Sequence, residues 1–179
     1  MFCQKSKTKY NWKQNPDLSS KSDADYTNDI ISSISDHIRV NQNDMASYLQ
    51  RANAYLDLGK YEDAAQDYST IIKADTKNTV ALNNRGICYR SLGVPDQAIL
   101  DFTSAILINP EYRDAYNNRG LALCDKEEYE TAVSDFNKAI ELDPDYWYAY
   151  GNRGLAFWGL GRKAEAASDY RTASLKQGL

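Results

Sequence analysis

Apolar and small residues recur through most of the chain with the spacing of an amphipathic helix. The pattern occurs twice within residues 113–146, in two sets that follow i, i+4, i+7 spacing: Tyr116, Gly120 and Leu123, then Ala132, Phe136 and Ala139. Residues with this spacing lie on one face of an α-helix. Because a polar stretch at 125–128 separates the two sets, the segment is predicted to form two short helices joined by a tight turn.

The double pattern returns every 34 residues, and the tripeptide Asn-Arg-Gly marks it at 84–86, 118–120 and 152–154. Residues 79–112 align with residues 113–146 without a gap, with 12 identities in 34 positions. A fixed period of this size indicates tandem copies of one supersecondary unit. The fold class is therefore predicted to be an all-α solenoid, with four units at 45–78, 79–112, 113–146 and 147–179.

Glycine and proline punctuate each unit as two helices require. Three glycines come where the first helix should end in a left-handed residue: Gly59, Gly93 and Gly161. Glycine inside a helix costs about 1 kcal/mol against alanine, so the glycine of each tripeptide is expected to permit close helix contact. Asn109-Pro110 and Asp143-Pro144 are predicted to start the following helix, as an N-cap and a proline at the first helical position.

These units resemble tetratricopeptide repeats (TPRs). The period matches, as do the small residue in the first helix, the aromatic residue before the turn and the proline near the end of a unit, represented by Ala52, Gly86, Tyr89, Pro110 and Pro144. The resemblance covers residues 45–179 and implies four tandem helix-turn-helix repeats. It also implies a scaffold or adaptor that works through protein–protein interaction.

Residues 23–43 are predicted to form a further helix, either a cap of the solenoid or half of a preceding repeat. Ser22 and Asp25 can form a capping box at its start. Four apolar residues stand four positions apart along it: Tyr26, Ile30, Ile34 and Ile38. The three isoleucines are expected to pack against the first full repeat.

Residues 1–22 hold five lysines and one aspartate without an apolar run, so they are predicted to be a disordered basic arm. A solubilising tail is one interpretation, and contact with an anionic membrane or nucleic acid, or acylation of Cys3, is the other. Residues 44–179 hold 15 basic and 20 acidic residues, which argues against nucleic-acid binding by the repeats. With no secretory signal and no apolar stretch of membrane-spanning length, a cytoplasmic location is expected.

Catalytic and metal-binding constellations are missing from the sequence. His37 is the only histidine, and no cysteine or second histidine accompanies it as a metal ligand. Glycine-rich phosphate loops and HExxH or CxxC motifs do not occur. We therefore expect a non-enzymatic protein without a metal or another cofactor.

An arginine precedes an aspartate by 16 residues in every unit: Arg51/Asp67, Arg85/Asp101, Arg119/Asp135 and Arg153/Asp169. A charge pair that recurs in every unit indicates architecture rather than a catalytic site. Each pair is predicted to join the two helices of its unit. Partly exposed ion pairs of this kind contribute about 0–1 kcal/mol each.

The opposite face of each first helix is predicted to line a concave groove. Ten residues form the candidate peptide-binding site: Gln50, Asn53, Asn84, Ile87, Asn118, Leu121, Tyr148, Asn152, Leu155 and Trp158. An asparagine side chain offers one acceptor and two donors, so the asparagine column can hold the backbone of an extended peptide, as similar ladders do in peptide-binding TPR arrays. The alternative is that these amides bond between neighbouring repeats and the groove is empty.

One TPR subtype, which binds the C-terminal carboxylate of heat-shock chaperones, is not indicated. Asn53 and Asn84 match its contacts, but Leu49, Asp114 and Asn118 stand where basic residues are needed. The second function that the sequence leaves open is structural. The last helix, about 163–176, should leave apolar side chains uncovered at the end of the solenoid, so homo-oligomers can form through it.

Overall fold

The computed structural model describes residues 22–178, and this range forms nine α-helices. Their bounds are α1 Asp23–Val40, α2 Met45–Asp57, α3 Tyr61–Ala74, α4 Thr79–Ser91, α5 Pro95–Ile108, α6 Arg113–Asp125, α7 Tyr129–Leu142, α8 Trp147–Gly159 and α9 Lys163–Gln177. The predicted basic arm, residues 1–22, lies outside the described residues except for Ser22. None of the described helices combines the length and the hydropathy that crossing a bilayer requires.

Each helix packs chiefly against its neighbours in sequence. The largest contacts lie within four pairs, α2/α3, α4/α5, α6/α7 and α8/α9, and each pair then packs on the next. The first helices of successive pairs also touch, α4 with α6 and α6 with α8, so they form one continuous wall. The predicted all-α solenoid of tandem helix pairs is confirmed. We call α2, α4, α6 and α8 the inner helices and α3, α5, α7 and α9 the outer helices.

A glycine of the inner helix lies against an aromatic ring of the outer helix. A Cβ atom added to the glycine would come within 3 Å of the ring in three pairs, at 2.6 Å for Gly86–Phe102 and Gly120–Phe136 and at 2.9 Å for Gly154–Tyr170. The phenylalanine rings are fully buried. The glycines therefore permit the close helix contact that the sequence predicts.

The turn between an inner and an outer helix contains a left-handed residue. The φ angle is +71° at Gly59, +74° at Gly93 and +74° at Gly161, which confirms the predicted helix ends. In the third pair the same place is taken by Glu127, with φ +61°. A side chain at such an angle costs roughly 1–2 kcal/mol, so this turn is strained where its three counterparts are not.

Asn109 and Asp143 do not begin helices, contrary to the prediction. They follow the last residues of α5 and α7 as C-caps, and the next helices begin only at Arg113 and Trp147. Asn109 Oδ1 accepts the backbone N–H of Glu111 at 3.1 Å, and Asp143 makes the equivalent bond at 3.0 Å. The side chains thus stabilise turns in the linkers, and the prolines follow helix ends because proline cannot continue a helix.

Helix α1 begins with the predicted capping box, in which Ser22 and Asp25 each accept the other's backbone N–H. Ile38 is buried as expected, but Ile30 is 54% exposed and Ile31 is buried in its place. A helix turns about 100° per residue, so a strict step of four residues drifts by about 40° each time. Residues chosen at steps of four therefore move off the buried face, as Ile30 does. Ile31 and Ile38, seven residues apart, both stay on the face toward α2.

The four predicted Arg–Asp pairs all form, and each joins an inner helix to its outer helix. The Nη2–Oδ1 distance is 2.7 Å in every pair, and Nε donates to the other carboxylate oxygen at 2.7–2.8 Å. The aspartate side chains are only 5–8% exposed. This burial is greater than the sequence estimate assumed, so removal of one partner should cost about 3–5 kcal/mol instead of 0–1.

The same arginines also reach back to the preceding outer helix. Their Nη1 groups donate across 16 residues in four bonds: Arg51 to Ser35, Arg85 to Ser69, Arg119 to Thr103 and Arg153 to Asn137. Ser35 belongs to α1. Helix α1 therefore packs on α2 in the same way as each outer helix packs on the inner helix that follows it. Each of these four arginines therefore joins its inner helix both to the outer helix of its own pair and to the preceding helix.

Candidate functional site

All ten residues of the candidate groove lie on the inner helices, and none is fully buried. Four are exposed, namely Gln50, Asn53, Leu155 and Trp158, and the other six are half-buried. The two candidate residues of α2, Gln50 and Asn53, are polar, while Leu155 and Trp158 of α8 present 48% and 58% of their surface to solvent. The wall therefore changes from polar to apolar between its first and its last helix.

Two asparagines of the column bond to the preceding inner helix. Asn118 Nδ2 donates to Asn83 Oδ1 at 3.0 Å, and Asn152 Nδ2 donates to Asn117 Oδ1 at 2.8 Å. The accepting asparagines are 4% exposed. The bonding between repeats that the sequence left open is therefore present, and it uses the donor side of each amide. The Oδ1 atoms of Asn118 and Asn152 accept no hydrogen bond from another residue in the range 22–178.

Sequence reasoning missed the buried asparagines, Asn83 and Asn117. A signal was present, because Asn83-Asn84 and Asn117-Asn118 are doublets at the same place in the repeat. One amide of each doublet is a predicted groove residue, and the other lies about 100° away around the helix, where it meets the next inner helix. The doublet thus builds a ladder of amides along the wall.

The first two inner helices are joined in a different way. The Tyr68 hydroxyl donates to Asn53 Oδ1 at 2.6 Å and accepts from Asn84 Nδ2 at 3.3 Å. Burial raises the pKa of Tyr68 well above its ordinary value, so the hydroxyl remains a donor. Tyr68 takes the place that Phe102 and Phe136 hold in later pairs, and the apolar pattern alone indicated only a core ring there.

A cleft of about 180 Å³ opens at the C-terminal end of the wall. Six residues line it, and we call it the Trp158 cleft: Cys124, Asp125, Tyr129, Leu155, Trp158 and Gly159. The structure thus brings together two predicted groove residues, Leu155 and Trp158. A Cβ atom on Gly159 would lie 2.6 Å from the Tyr129 ring, so glycine is needed for this approach of α8 to α7.

Tyr148 belongs to a separate aromatic cluster at the start of α8. Its ring stacks on Trp147 with 3.6 Å between centroids, and Tyr146 lies 5.6 Å away. The Arg113 guanidinium is 4.0 Å from the centroid of the Tyr146 ring. Trp158 comes ten positions after Tyr148, which is about 15 Å along a helix, so the two aromatic sites are distinct.

Acidic groups on the inner helices are partly neutralised by arginines. Asp125 accepts two bonds from Arg90, at 2.6 and 3.1 Å, and this pair links α6 to α4. Asp114 accepts from Arg113 at 2.8 Å. Asp57 is exposed on α2. The inner wall therefore carries carboxylates in two of its four helices, α2 and α6.

The described thiols and the histidine do not form a reactive group. Burial raises the pKa of Cys88 and of Cys124 to about 12, so both stay protonated at neutral pH. His37 Nε2 lies 3.1 Å from the Asp44 carboxylate, which also caps α2. In residues 22–178, His, Cys, Asp and Glu side chains do not gather in a group that could hold a metal ion.

Comparison with known families gives two matches along the chain. Residues 49–115 match the family described as "Tetratricopeptide repeat", and residues 120–161 match the family described as "TPR repeat". Together these segments cover more than half of the 179 residues. No curated protein sequence is significantly similar to the chain.

Several solved structures share this architecture. A crystal structure of MamA has a TM-score of 0.76 at 25% identity, with 88% of this chain and 96% of that chain covered. The first TPR of Spaghetti (RPAP3), bound to the HSP90 peptide SRMEEVD, has a TM-score of 0.63 at 28% identity, covering 65% and 93%. YrrB, described as a TPR protein with an unusual peptide-binding site, shares the fold at 19% identity, with a TM-score of 0.70 and 90% and 81% covered.

Proposed function

Because the chain belongs to the tetratricopeptide-repeat family, we propose that it is a scaffold or adaptor that holds an extended peptide segment of a partner protein against its inner helices. TPR domains bind proteins and peptides and are generally non-catalytic. In this proposal the inner helices bind the peptide in two ways: polar side chains contact its backbone, and apolar side chains contact its side chains.

The observation that carries the proposal is the orientation of Asn118 and Asn152. Their Nδ2 groups are held by the buried Asn83 and Asn117, which leaves both Oδ1 atoms free for backbone N–H groups of a peptide. An amide that is already fixed loses little conformational entropy when a ligand binds. The bonds between repeats therefore prepare the column for a peptide instead of excluding one.

Apolar groups beside the asparagines supply the side-chain contacts. Ile87 and Leu121 are half-buried, and Leu155 and Trp158 are exposed next to the last asparagine. Large exposed apolar side chains that adjoin ordered polar groups are typical of binding surfaces. An extended segment can thus place its backbone on the amides and alternate side chains on these residues.

The RPAP3 structure supports peptide binding by a related array, and its peptide, SRMEEVD, is acidic. The present groove differs in its charges from one that takes such a peptide. Leu49, Asp114 and Asn118 occupy the places where a carboxylate-binding groove needs basic residues. Asp114 would repel a terminal carboxylate, so we propose a partner of a different charge.

The proposal can be tested with full-length protein that carries Asn118→Ala and Asn152→Ala. Proteins recovered with the wild-type chain are identified, and the affinity of each recombinant partner is then measured by titration calorimetry. We expect a loss of about five- to thirtyfold, which corresponds to about 1–2 kcal/mol for lost polar contacts. Gln66→Ala and Gln97→Ala, on exposed outer-helix positions, are the matched control. If both double variants bind every partner like the wild type, the groove is not the binding site.

A second candidate function is self-assembly through α9. Tyr170 is 42% exposed and Leu175 is 71% exposed, whereas Tyr68, Phe102 and Phe136, the counterparts of Tyr170, are fully buried under the next inner helix. A second copy could cover this surface. Mass measurement over a range of concentrations tests it, and a monomer at micromolar concentration would exclude the assembly.

A further inference from the structure

The Trp158 cleft and the turn beside it indicate which kind of peptide the groove accepts. We propose that the cleft seats one aromatic or branched aliphatic side chain, and that Glu127 pairs with a lysine or arginine adjacent to it in the peptide. This inference rests on the proposed groove function and specifies its ligand. The partner segment is therefore basic and apolar.

The size and the walls of the cleft fit one apolar side chain. Its volume is about 180 Å³, it is open to solvent, and the Asp125 carboxylate lies beside its apolar groups. Leu155 and Trp158 form its exposed walls, and contact with a ligand would remove their apolar surface from water. Tryptophan is also among the residues that most often dominate binding energy at interfaces.

The cleft is specific to the last two inner helices. Gly159 allows Tyr129 to come so close that any larger residue would collide with the ring. The positions that correspond to Gly159 in the other inner helices hold Asp57, Ser91 and Asp125. The repeat architecture alone therefore does not require this cleft.

Glu127 supplies the charge. It lies in the chain between Asp125 and Tyr129, two residues that line the cleft. Its backbone is left-handed, with φ +61°, where the three equivalent turns have glycine. The Glu127 side chain is exposed, and its carboxylate makes no hydrogen bond or ion pair with another residue of the range 22–178. Strained non-glycine residues cluster at functional sites.

Among Asp125, Glu127 and Glu128, Glu127 is the one without an ion pair in residues 22–178, so its carboxylate is open to a cation. Asp125 is paired with Arg90, and Glu128 is paired with Lys126 at 3.0 Å. The Lys163 ammonium lies 5.6 Å from the centroid of the Trp158 ring, so it already occupies that aromatic face. A basic side chain of the peptide would be repelled by Lys163 and attracted to Glu127, in the turn between the lining residues Asp125 and Tyr129.

The ligand class can be determined with a random 12-residue phage library that is selected on the full-length chain. We expect enriched sequences to share an aromatic or branched aliphatic residue next to lysine or arginine. One enriched peptide is then synthesised with a fluorophore, and its dissociation constant is measured by anisotropy. Trp158→Ala should weaken binding at least about tenfold. Glu127→Gln, which keeps the shape, should weaken it about threefold at low salt and not at 1 M salt.

The controls separate this inference from the groove proposal. Leu107→Ala removes a side chain that is 78% exposed on an outer helix and should leave the dissociation constant unchanged. If Asn118→Ala weakens the peptide but Trp158→Ala and Glu127→Gln do not, the cleft inference is wrong and the groove proposal stands. Enrichment of acidic sequences also overturns the inference. If no peptide is enriched, or binding is insensitive to all three substitutions, both proposals fail.

Discussion

The same substitution, glycine to alanine, should have opposite effects at two sites of the inner helices. Gly120 and Gly151 both lie inside helices. A Cβ atom on Gly151 would meet only the Cβ of Ala173, at 3.9 Å, which is an ordinary contact. A Cβ atom on Gly120 would lie 2.6 Å from Cε1 of Phe136. The first site has room for a methyl group and the second has none.

The magnitudes follow from helix propensity and from packing. Alanine is favoured over glycine in a helix by about 0.5–1 kcal/mol, so Gly151→Ala should stabilise the fold by that amount. Gly120→Ala gains the same helix-propensity stabilisation. Carbon atoms pack at about 3.5–4.0 Å, however, so the two helices must separate by about 1 Å. The Phe136 ring is enclosed by Leu123, Ala132 and Ala156, which prevents it from moving aside. Overpacking of this kind costs about 1–3 kcal/mol, so we expect a net loss of about 1–2 kcal/mol.

Urea unfolding, followed by far-ultraviolet circular dichroism, measures both effects. The unfolding midpoint should rise for Gly151→Ala and fall for Gly120→Ala. Adding Phe136→Leu to Gly120→Ala should cost less than Phe136→Leu alone, because the smaller side chain leaves space for the methyl group. If Gly120→Ala were as stable as the wild type, the glycine would not be needed for close contact. A loss of stability in Gly151→Ala would refute the propensity argument.

Two further substitutions and one measurement of thiol reactivity also test the structure. Asp135→Asn removes the charge opposite Arg119 inside the wall and should lower the free energy of unfolding by about 3–5 kcal/mol in the same urea assay, and a loss below 1 kcal/mol would mean that the pair is solvated. Glu127→Gly releases the strained turn, so the thermal midpoint should stay equal or rise by up to about 4 °C, and a lower midpoint would contradict the strain. Cys88 and Cys124 have pKa values raised by burial from 9.0 to about 12, so both should react with maleimide at pH 8 at least about tenfold more slowly in the folded than in the urea-unfolded protein. Because the folded state holds these protons more tightly, their contribution to stability is complete below pH 9 and is lost between pH 9 and about 12.

The period of the sequence predicts the helix pairs and the Arg–Asp bonds well, because both depend on features that recur in every repeat. Arg119 and Asp135 stand at a fixed spacing that a helix hairpin brings together, so the sequence alone indicates the contact. Helix starts were harder to predict. Asn109 can cap the start of a helix or close a turn after the end of one. Both structures occur with the same short sequence, Asn-Pro, so the sequence does not distinguish them. Only the tertiary packing decides between them.

Binding geometry is less visible in the sequence than the fold. The pattern predicts that Asn118 and Asn152 face the groove, but it does not show that their donors bond to the buried Asn83 and Asn117. That bond depends on the distance between two inner helices of different repeats, and the pattern within one repeat does not give this distance. The Trp158 cleft depends on Gly159 and Tyr129, which are not at equivalent positions and belong to different repeats. Such sites arise from contacts between repeats, where the repeat pattern gives no information.

The hydrogen bonds of the wall favour the C-terminal half of the proposed groove as the place where a peptide backbone would bind. Asn53 Oδ1 accepts from Tyr68, and Asn84 uses its donor on Tyr68 and its acceptor on Asn83. These two amides already have partners, so a peptide that bonds to them must break existing bonds. Phe102 and Phe136, the counterparts of Tyr68 beside the last two inner helices, have no hydroxyl group. Within the described residues, Asn118 and Asn152 use only their Nδ2 donors, on Asn83 and Asn117, so their amide oxygens stay available. The open acceptors and the exposed Leu155 and Trp158 lie on α6 and α8, and the Trp158 cleft lies between these helices and the start of α7, so the proposed peptide would run along this half of the wall.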